Sequence, residues 1–461
     1  MTTNTGTDGT TGKATGSRRL RAFLSRDRTT KTLGLAAMLI GFLVALEQVD
    51  GLVAERQWMR NVARDAVGAL WGPAQHLAGP FLIVPVDRVS GSGDTLRAET
   101  AYRVISPREL DVAVVLETET RHRGLFEVPV YTATATIGGR FAREDFAGQA
   151  GVGLRPPVLA LRMADAAGVV GTPEAGWNGT AVPVDPDLAA AAKTVLGDQA
   201  IAATLPAAVL SDEANGRFVL TVGLRGTGQF HLAPSGRSTT VAMRSPWPHP
   251  SFTGSRTTAS HEITTDGFEA TWEIGPFGRG TPSSWTTGSG PAAADGLATL
   301  EAAAFGVALV QPVDPYRMTE RTLKYGMLFA LYTFGAFVLL ETVFRRPLHW
   351  LHYLLTGASV ACFFLLLLSL SELLGFAAAY ALGAAGVVAQ TGLYARAVLA
   401  ELRLSLVFGG LLAGLYAGLY GLLRLEDTAL VAGSVGLFAA IGLAMLLTRR
   451  LNRRPAEPVA T

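Results

Sequence analysis

The spacing of apolar segments constrains this chain more than any motif in it. One short apolar stretch lies at residues 33–46. A long mixed region punctuated by Gly and Pro follows, and from Leu323 to Leu447 the sequence is almost continuously apolar, broken at a few short charged points. A hydrocarbon core takes about 20 apolar residues per helical span. The pattern therefore predicts a membrane protein with an N-terminal anchor helix, a large domain on one side of the bilayer, and a C-terminal bundle of about five transmembrane helices.

Charge places the ends. Lys and Arg collect on cytoplasmic loops, and Arg18, Arg19, Arg21, Arg26, Arg28 and Lys31 precede the first apolar stretch. The five later spans are expected at about 323–344, 349–370, 373–393, 404–423 and 428–448. Arg345 and Arg346, then Arg396 and Arg403, then Arg449, Arg450, Arg453 and Arg454 fall at alternate joints, while the joints at Ser371-Glu372 and Glu426-Asp427 carry no basic excess. The expected layout is a disordered basic cytoplasmic tail (1–31), an uncleaved anchor (32–53), an extracytoplasmic mostly-β domain of one or two lobes (54–320), a five-helix bundle (321–449) and a cytoplasmic tail (450–461). Both termini are cytoplasmic in this reading. Glycines such as Gly409, Gly410, Gly414, Gly418 and Gly421 are expected to let helices pack closely.

Within the large domain, arginines at 56, 60 and 64 continue a helical pattern that Gly72-Pro73 ends. The run Gly79-Pro80-Phe81-Leu82-Ile83-Val84-Pro85-Val86 reads as a strand, as do 111–119, 128–137, 217–223 and 261–274. Gly138-Gly139 reads as a turn, and only 188–196 and 296–304 look helical. The chain's one cysteine, Cys362, sits in an apolar run, so the domain has no disulfide and no thiolate metal site. A net charge of +2 gives no field for nucleic acid. No nucleophile elbow, phosphate loop or zinc helix is present, and the expectation is a non-enzyme with no catalytic residue, cofactor or metal.

The segment Ser245-Pro246-Trp247-Pro248-His249-Pro250-Ser251-Phe252-Thr253-Gly254 resembles the SxWPHPSFxG block of the CreD family of inner-membrane proteins. Other blocks agree in order. Residues 72–80 look like the family's GPQxLxGP segment with one extra residue, and Gly226-Thr227-Gly228 with Pro234-Ser235-Gly236-Arg237 match its GTG and PxGR elements. Tyr316, Arg321, Lys324 and Tyr325 fit its entry to the second span, and residues 366–376 fit its LLLLSLSExxGF run. Two departures are Leu348-His349-Trp350-Leu351-His352-Tyr353-Leu354-Leu355-Thr356-Gly357, where the family reads LHPxQYLLVG, and Leu373, where it often has histidine. The resemblance implies a bacterial inner-membrane location and a role in envelope integrity and envelope stress. It further implies expression tied to a two-component stress response and, as in some members of that family, colicin tolerance. It supplies no catalytic residue.

The candidate partner-binding residues are Trp247, His249 and Phe252, on a loop that proline stiffens. The competing reading is a turn that closes a β lobe by burying Trp247 and Phe252. Glu341, Glu372 and Gln390 are the polar groups nearest lipid depth, where ionisable groups are costly; local pairing near span ends competes with an ion pathway. His349 and His352, three apart, lack further ligands in sequence for a metal. Three functions compete: an outer β domain that binds an envelope protein or cell-wall component; a transporter or channel with that domain as receptor or lid, requiring Glu341, Gln390 and Glu372 to line one cavity; and a hydrolase of lipid or peptidoglycan precursors, requiring an acid/base pair assembled in space. The lipid of the membrane is a partner in all three.

Overall fold

A computed structural model of the chain describes residues 14–90, 97–146, 155–185, 187, 189–210, 215–278, 282–287, 292–311, 314–344, 349–399 and 401–425, with isolated positions between 431 and 445. It divides into two compact units, Met59–Pro312 and a helical one made of Met1–Trp58 and Val313–Thr461.

Helix α1 (Ala14–Trp71) is a single 58-residue element. The basic segment from Arg18 to Lys31, expected to be disordered, is its N-terminal part. Once a helix is nucleated, each added residue costs little, and Ala, Leu, Arg and Lys propagate it well. Its C-terminus falls where Gly72-Pro73 predicts. Gly72 adopts φ +138°, and a side chain there would meet the Arg225 carbonyl oxygen at 2.6 Å. Pro73 cannot continue the helix.

The β unit contains, among the described residues, seventeen strands: β1 (Gln75–Ser90), β2 (Arg97–Ile105), β3 (Glu109–Arg123), β4 (Phe126–Phe141), β5 (Val158–Arg162), β6 (Val169–Trp177), β7 (Thr180–Val182), β8 (Val184–Asp185), β9 (Ala200–Thr204), β10 (Gly216–Thr227), β11 (Gln229–Leu232), β12 (Ser238–Ser245), β13 (Pro250–Gly254), β14 (Ser260–Thr264), β15 (Gly267–Ile274), β16 (Ser284–Thr286) and β17 (Phe305–Leu309). Short helices α2 (Arg143–Phe146), α3 (Ala190–Leu196) and α4 (Ala292–Ala302) join them. One sheet has the order β13-β17-β11-β1-β5-β9-β8, with β2 and β16 added beside β1; the other has the order β14-β15-β12-β3-β4-β10-β6-β7.

The two sheets face each other over one apolar cluster. Leu82, Val84 and Ile105 from the first meet Val112, Val114, Leu116, Ala133, Leu220 and Trp272 from the second. The opposite face of the first sheet carries a second cluster in which Phe81, Ile83 and Val104 pack with Ala192 and Leu196 of α3, Leu300 of α4, and Trp285. The first sheet is thus buried on both faces, which is why residues 81–84 read as an unbroken apolar run. The second is buried on one face, and β3 and β4 alternate accordingly: Val112, Val114, Ala133 and Ala135 point inward, Asp111, Ala113, Thr134 and Thr136 outward.

Gly138-Gly139, expected as a turn, lies inside β4. A Cβ at Gly139 would collide with the Glu109 carbonyl oxygen and lie 2.7 Å from Cζ of Phe218; glycine is there because both press on bare backbone. The expected strand over 261–274 is a hairpin of two strands, β14 and β15.

In the helical unit, α5 (Pro315–Lys324) and α6 (Gly326–Phe344) divide the segment expected as one span from 323. The Asp314 carboxylate caps α5 by accepting from the N–H groups of Tyr316 and Arg317, and Pro315 starts it. Helices α7 (Trp350–Leu374), α8 (Phe376–Leu399) and α9 (Leu402–Arg424) follow. Among the described residues, four helices are long and apolar enough to cross a bilayer: Leu33–Trp71, Trp350–Leu374, Phe376–Val398 and Leu402–Arg424; Gly326–Val338 is a shorter apolar helix. Most of the sixth expected segment, 428–448, falls outside the described residues. Among the described residues, nothing lies within 4 Å of a Cβ at Gly409, Gly410, Gly414, Gly418 or Gly421. The opposite face of α9 carries the contacts, through Leu404, Phe408, Leu412, Tyr416 and Leu419.

Candidate functional site

The Trp-Pro loop carries the chain from β12 in one sheet to β13 in the other. Trp247 is half-buried against the sandwich core. Its indole N–H donates to the carbonyl oxygens of His249 at 3.2 Å and Val310 at 3.0 Å, and the Val310 N–H donates back to the His249 oxygen at 3.2 Å. Phe252 meets Phe268 and Trp272 edge-on, each at 5.7 Å between ring centroids. Two of the three candidate residues are therefore occupied in joining the sheets. Of the three, only His249 is exposed to solvent.

Two polar groupings in the β unit escape sequence reading. In the first, Tyr131 is fully buried. Its hydroxyl accepts from the Gln75 N–H at 3.1 Å and donates to the Gln229 carbonyl at 2.5 Å, while the Gln75 side chain donates to the Arg225 carbonyl at 2.9 Å. Trp71, the last residue of α1, donates its indole N–H to the Tyr131 carbonyl at 3.2 Å. Burial pushes the Tyr131 phenol well above its ordinary range. This network ties the end of α1 to β1, β4 and β11. In the second, His76 and His231 stand opposite each other on the parallel pair β1 and β11. Burial lowers the His76 imidazole below its ordinary 6.5, with Glu301 opposing and Arg162 reinforcing the shift. Burial, and then His76, lowers His231. His231 Nε2 lies 2.9 Å from Thr253 Oγ1, and Arg162 donates to Glu301 at 2.7 Å. The block at residues 72–80 was a signal for Gln75 and His76 alone, both of which it contains.

The helical unit distributes its polar side chains in separate contacts. The Tyr316 hydroxyl of α5 donates to Glu372 of α7 at 3.0 Å, and Arg56 Nε of α1 lies 3.6 Å from the same carboxylate oxygen. Tyr353 donates to Glu341 at 2.8 Å. Ser359 donates to the Gln390 side-chain oxygen at 3.1 Å. At 1.5 Å rise per residue, Tyr353 and Glu372 are about 28 Å apart along α7. The contacts of Glu341, Gln390 and Glu372 are therefore strung along one helix, and the structure does not bring those three residues together. His349 caps α7, accepting from the Leu351 N–H at 3.3 Å, and His352 Nδ1 meets the Tyr394 hydroxyl at 2.6 Å. No cluster of three or more potential metal ligands occurs among the described residues.

The chain is 30% identical over 433 residues to the inner membrane protein CreD of Escherichia coli K12, covering 92% of this chain and 93% of that one. Among solved structures, an M1 zinc metallopeptidase of Deinococcus radiodurans overlays on 37% of this chain and 39% of its own, with 13% identity and a TM-score of 0.18. A candidate nutrient binding protein of Legionella pneumophila covers 46% and 70%, with 8% identity and a TM-score of 0.25. Overlays this loose support no statement about fold or activity. The family model described as inner membrane protein CreD matches residues 28–453, and the chain belongs to that family.

Proposed function

We propose that this inner-membrane protein contributes to cell envelope integrity without catalysing a reaction, and that its β domain lies on the extracytoplasmic side and binds an envelope protein or cell-wall component. In this reading both termini are cytoplasmic, and residues 428–448 form the sixth crossing. The observation that carries the reading is the division of labour along the chain. The β unit has its own three-layer core and a polar outer face, while the polar side chains of the helices pair locally. The charge asymmetry of the joints supports the orientation.

The orientation is tested with single cysteines in a Cys362→Ser background. A membrane-impermeant thiol reagent applied to spheroplasts is expected to label Val219→Cys, on the β domain, and to spare Ser17→Cys; the reverse pattern refutes it. The role is tested by deleting the gene and measuring entry of a dye that intact envelopes exclude under detergent stress. Entry should rise and be restored by the full chain. Unchanged entry counts against an envelope role. A photoreactive group at His249, the exposed member of the Trp-Pro loop, then identifies what the domain touches in cells.

A further inference from the structure

The β3–β4 hairpin is far longer than the sheet that contains it. Strand β12 pairs with β3 only as far as Val115, and β10 pairs with β4 only as far as Val130. The two strands nevertheless stay paired with each other to Arg123 and Phe126. At about 3.4 Å per residue the tip stands about 17 Å beyond the last three-stranded level. A two-stranded ribbon is marginal in water by itself. This one closes on a two-residue turn with Gly124 at φ +63°, the conformation such a turn favours at its first position.

The tip is amphipathic. Leu125 is 60% exposed and Phe126 is half-buried. Arg121 lies 4.0 Å over the Trp71 ring, which Arg225 also covers at 4.5 Å, and Arg121 pairs with Glu119 at 2.7 Å. His122 and Arg123 have no side-chain hydrogen bond or ion pair among the described residues and are exposed.

The ribbon is held beside the end of α1. Trp71 of α1 bonds to Tyr131 and packs with Val67 on Val128 and Val130; and Arg64 fills the space beside Gly228, whose N–H donates to the Pro129 carbonyl. The last two turns of α1 therefore lie along the base of the ribbon. The other connection leaves beside the same strands: Gln311, three residues before the α5 cap Asp314, donates to the Glu127 main-chain and side-chain oxygens, each at 3.4 Å. Both covalent links from the β unit to the apolar helices depart beside this ribbon.

We propose that the tip, residues 121–126, docks on the headgroup layer of the bilayer that holds the chain's own helices. Leu125 and Phe126 enter the interface, and Arg123 lies against lipid phosphate. Basic side chains beside exposed Leu and Phe are the composition of interfacial binders, and anionic lipid attracts the arginine. Because the domain is tethered at both ends, a weak contact suffices at the resulting effective concentration. The inference rests on the membrane location alone and is indifferent to the domain's envelope partner.

The test uses the full chain in nanodiscs containing phosphatidylglycerol, in a Cys362→Ser background. An environment-sensitive fluorophore is placed at Leu125→Cys or, as control, at Val219→Cys. Val219 of β10 is opposite Gly138 of β4, which is about 44 Å along β4 from the tip at 3.4 Å per residue. Lipid bearing a headgroup nitroxide is expected to quench position 125 at least twofold more than position 219, and Arg123→Glu is expected to reduce that excess by at least half. Equal quenching at the two positions, or an excess unchanged in Arg123→Glu, overturns the proposal. Failure of the dye-entry test above would leave this result intact, so the two readings fail separately.

Discussion

Replacing Tyr131 with Phe removes one oxygen from the centre of the β domain and changes almost nothing else in shape. The hydroxyl accepts from the Gln75 N–H and donates to the Gln229 carbonyl. Gln75 is 1% exposed, so its N–H would be stranded away from water. A buried unsatisfied group costs about 1–3 kcal/mol, and a lost hydrogen bond about 1 kcal/mol where water partly replaces the partner, as at half-buried Gln229. The sum is a destabilisation of about 2–4 kcal/mol. The ring and its edge-on contact with Phe230 at 5.9 Å remain, so no cavity adds to this. Hydrogen exchange of the β1, β4 and β11 amides, followed by mass spectrometry on the full chain in nanodiscs, reads the opening free energy directly. Tyr102→Phe is the control, because no hydrogen bond of the Tyr102 hydroxyl occurs among the described residues. It should stay within about 0.5 kcal/mol of the parent, as surface substitutions do. If Tyr131→Phe stays within that margin as well, the hydroxyl is not what holds the end of α1 to the three strands.

Trp247→Phe keeps an aromatic ring but deletes the N–H shared by His249 and Val310, and is expected to cost about 1–2 kcal/mol of domain stability by chemical denaturation; no measurable cost would argue that the loop is held by proline alone. For His76 and His231, both lowered by burial, the unfolded chain takes up protons that the folded domain refuses. Their contribution is complete above pH 6.5, their ordinary value, and is lost as the pH falls toward the folded pKa values, with a slope of up to about 1.4 kcal/mol per pH unit for each histidine. Melting temperature should therefore fall below pH 6.5, and the paired His76→Gln, His231→Gln variant should flatten that fall. Glu372→Gln retains an acceptor for Tyr316 and loses only the contact with Arg56, whose side chain is 42% exposed; a cost under about 1 kcal/mol is expected, against a clearly larger loss for Glu372→Leu in detergent thermal stability. Gly139→Ala forces a methyl against the Glu109 carbonyl oxygen and the Phe218 ring and should cost about 1–3 kcal/mol, in contrast to Gly275→Ser at an open position.

The sequence yielded the elements whose burial is simple. The runs at 81–84, 111–119 and 128–137 were legible as strands, but that one is covered on both faces and the others on one emerges only from the stacked sheets. The stop at Gly72-Pro73 was legible because glycine and proline act locally. Gly138-Gly139 misled for the same reason: Gly139 leaves room for the Glu109 carbonyl and the Phe218 ring on neighbouring strands, partners that no local rule contains. The break between α5 and α6 was hidden because Leu323 is buried by its amphipathic helix and not by lipid. Of the candidate site residues, the Trp-Pro loop showed its rigidity in sequence, but not that it spans two sheets. The Tyr131 network was invisible, since its members come from α1, β1, β4 and β11 and meet only once the sheets are stacked.

The layering of the β unit sets where such a domain can change without losing its fold. Strands covered on both sides give a substitution nowhere to go, so nearly every position in 81–84 answers to packing. The outward positions of β3 and β4 answer only to water. A lineage adapting this domain to a new binding target would write the difference there, in the threonines and carboxylates of one exposed face, while the strands beneath stayed fixed.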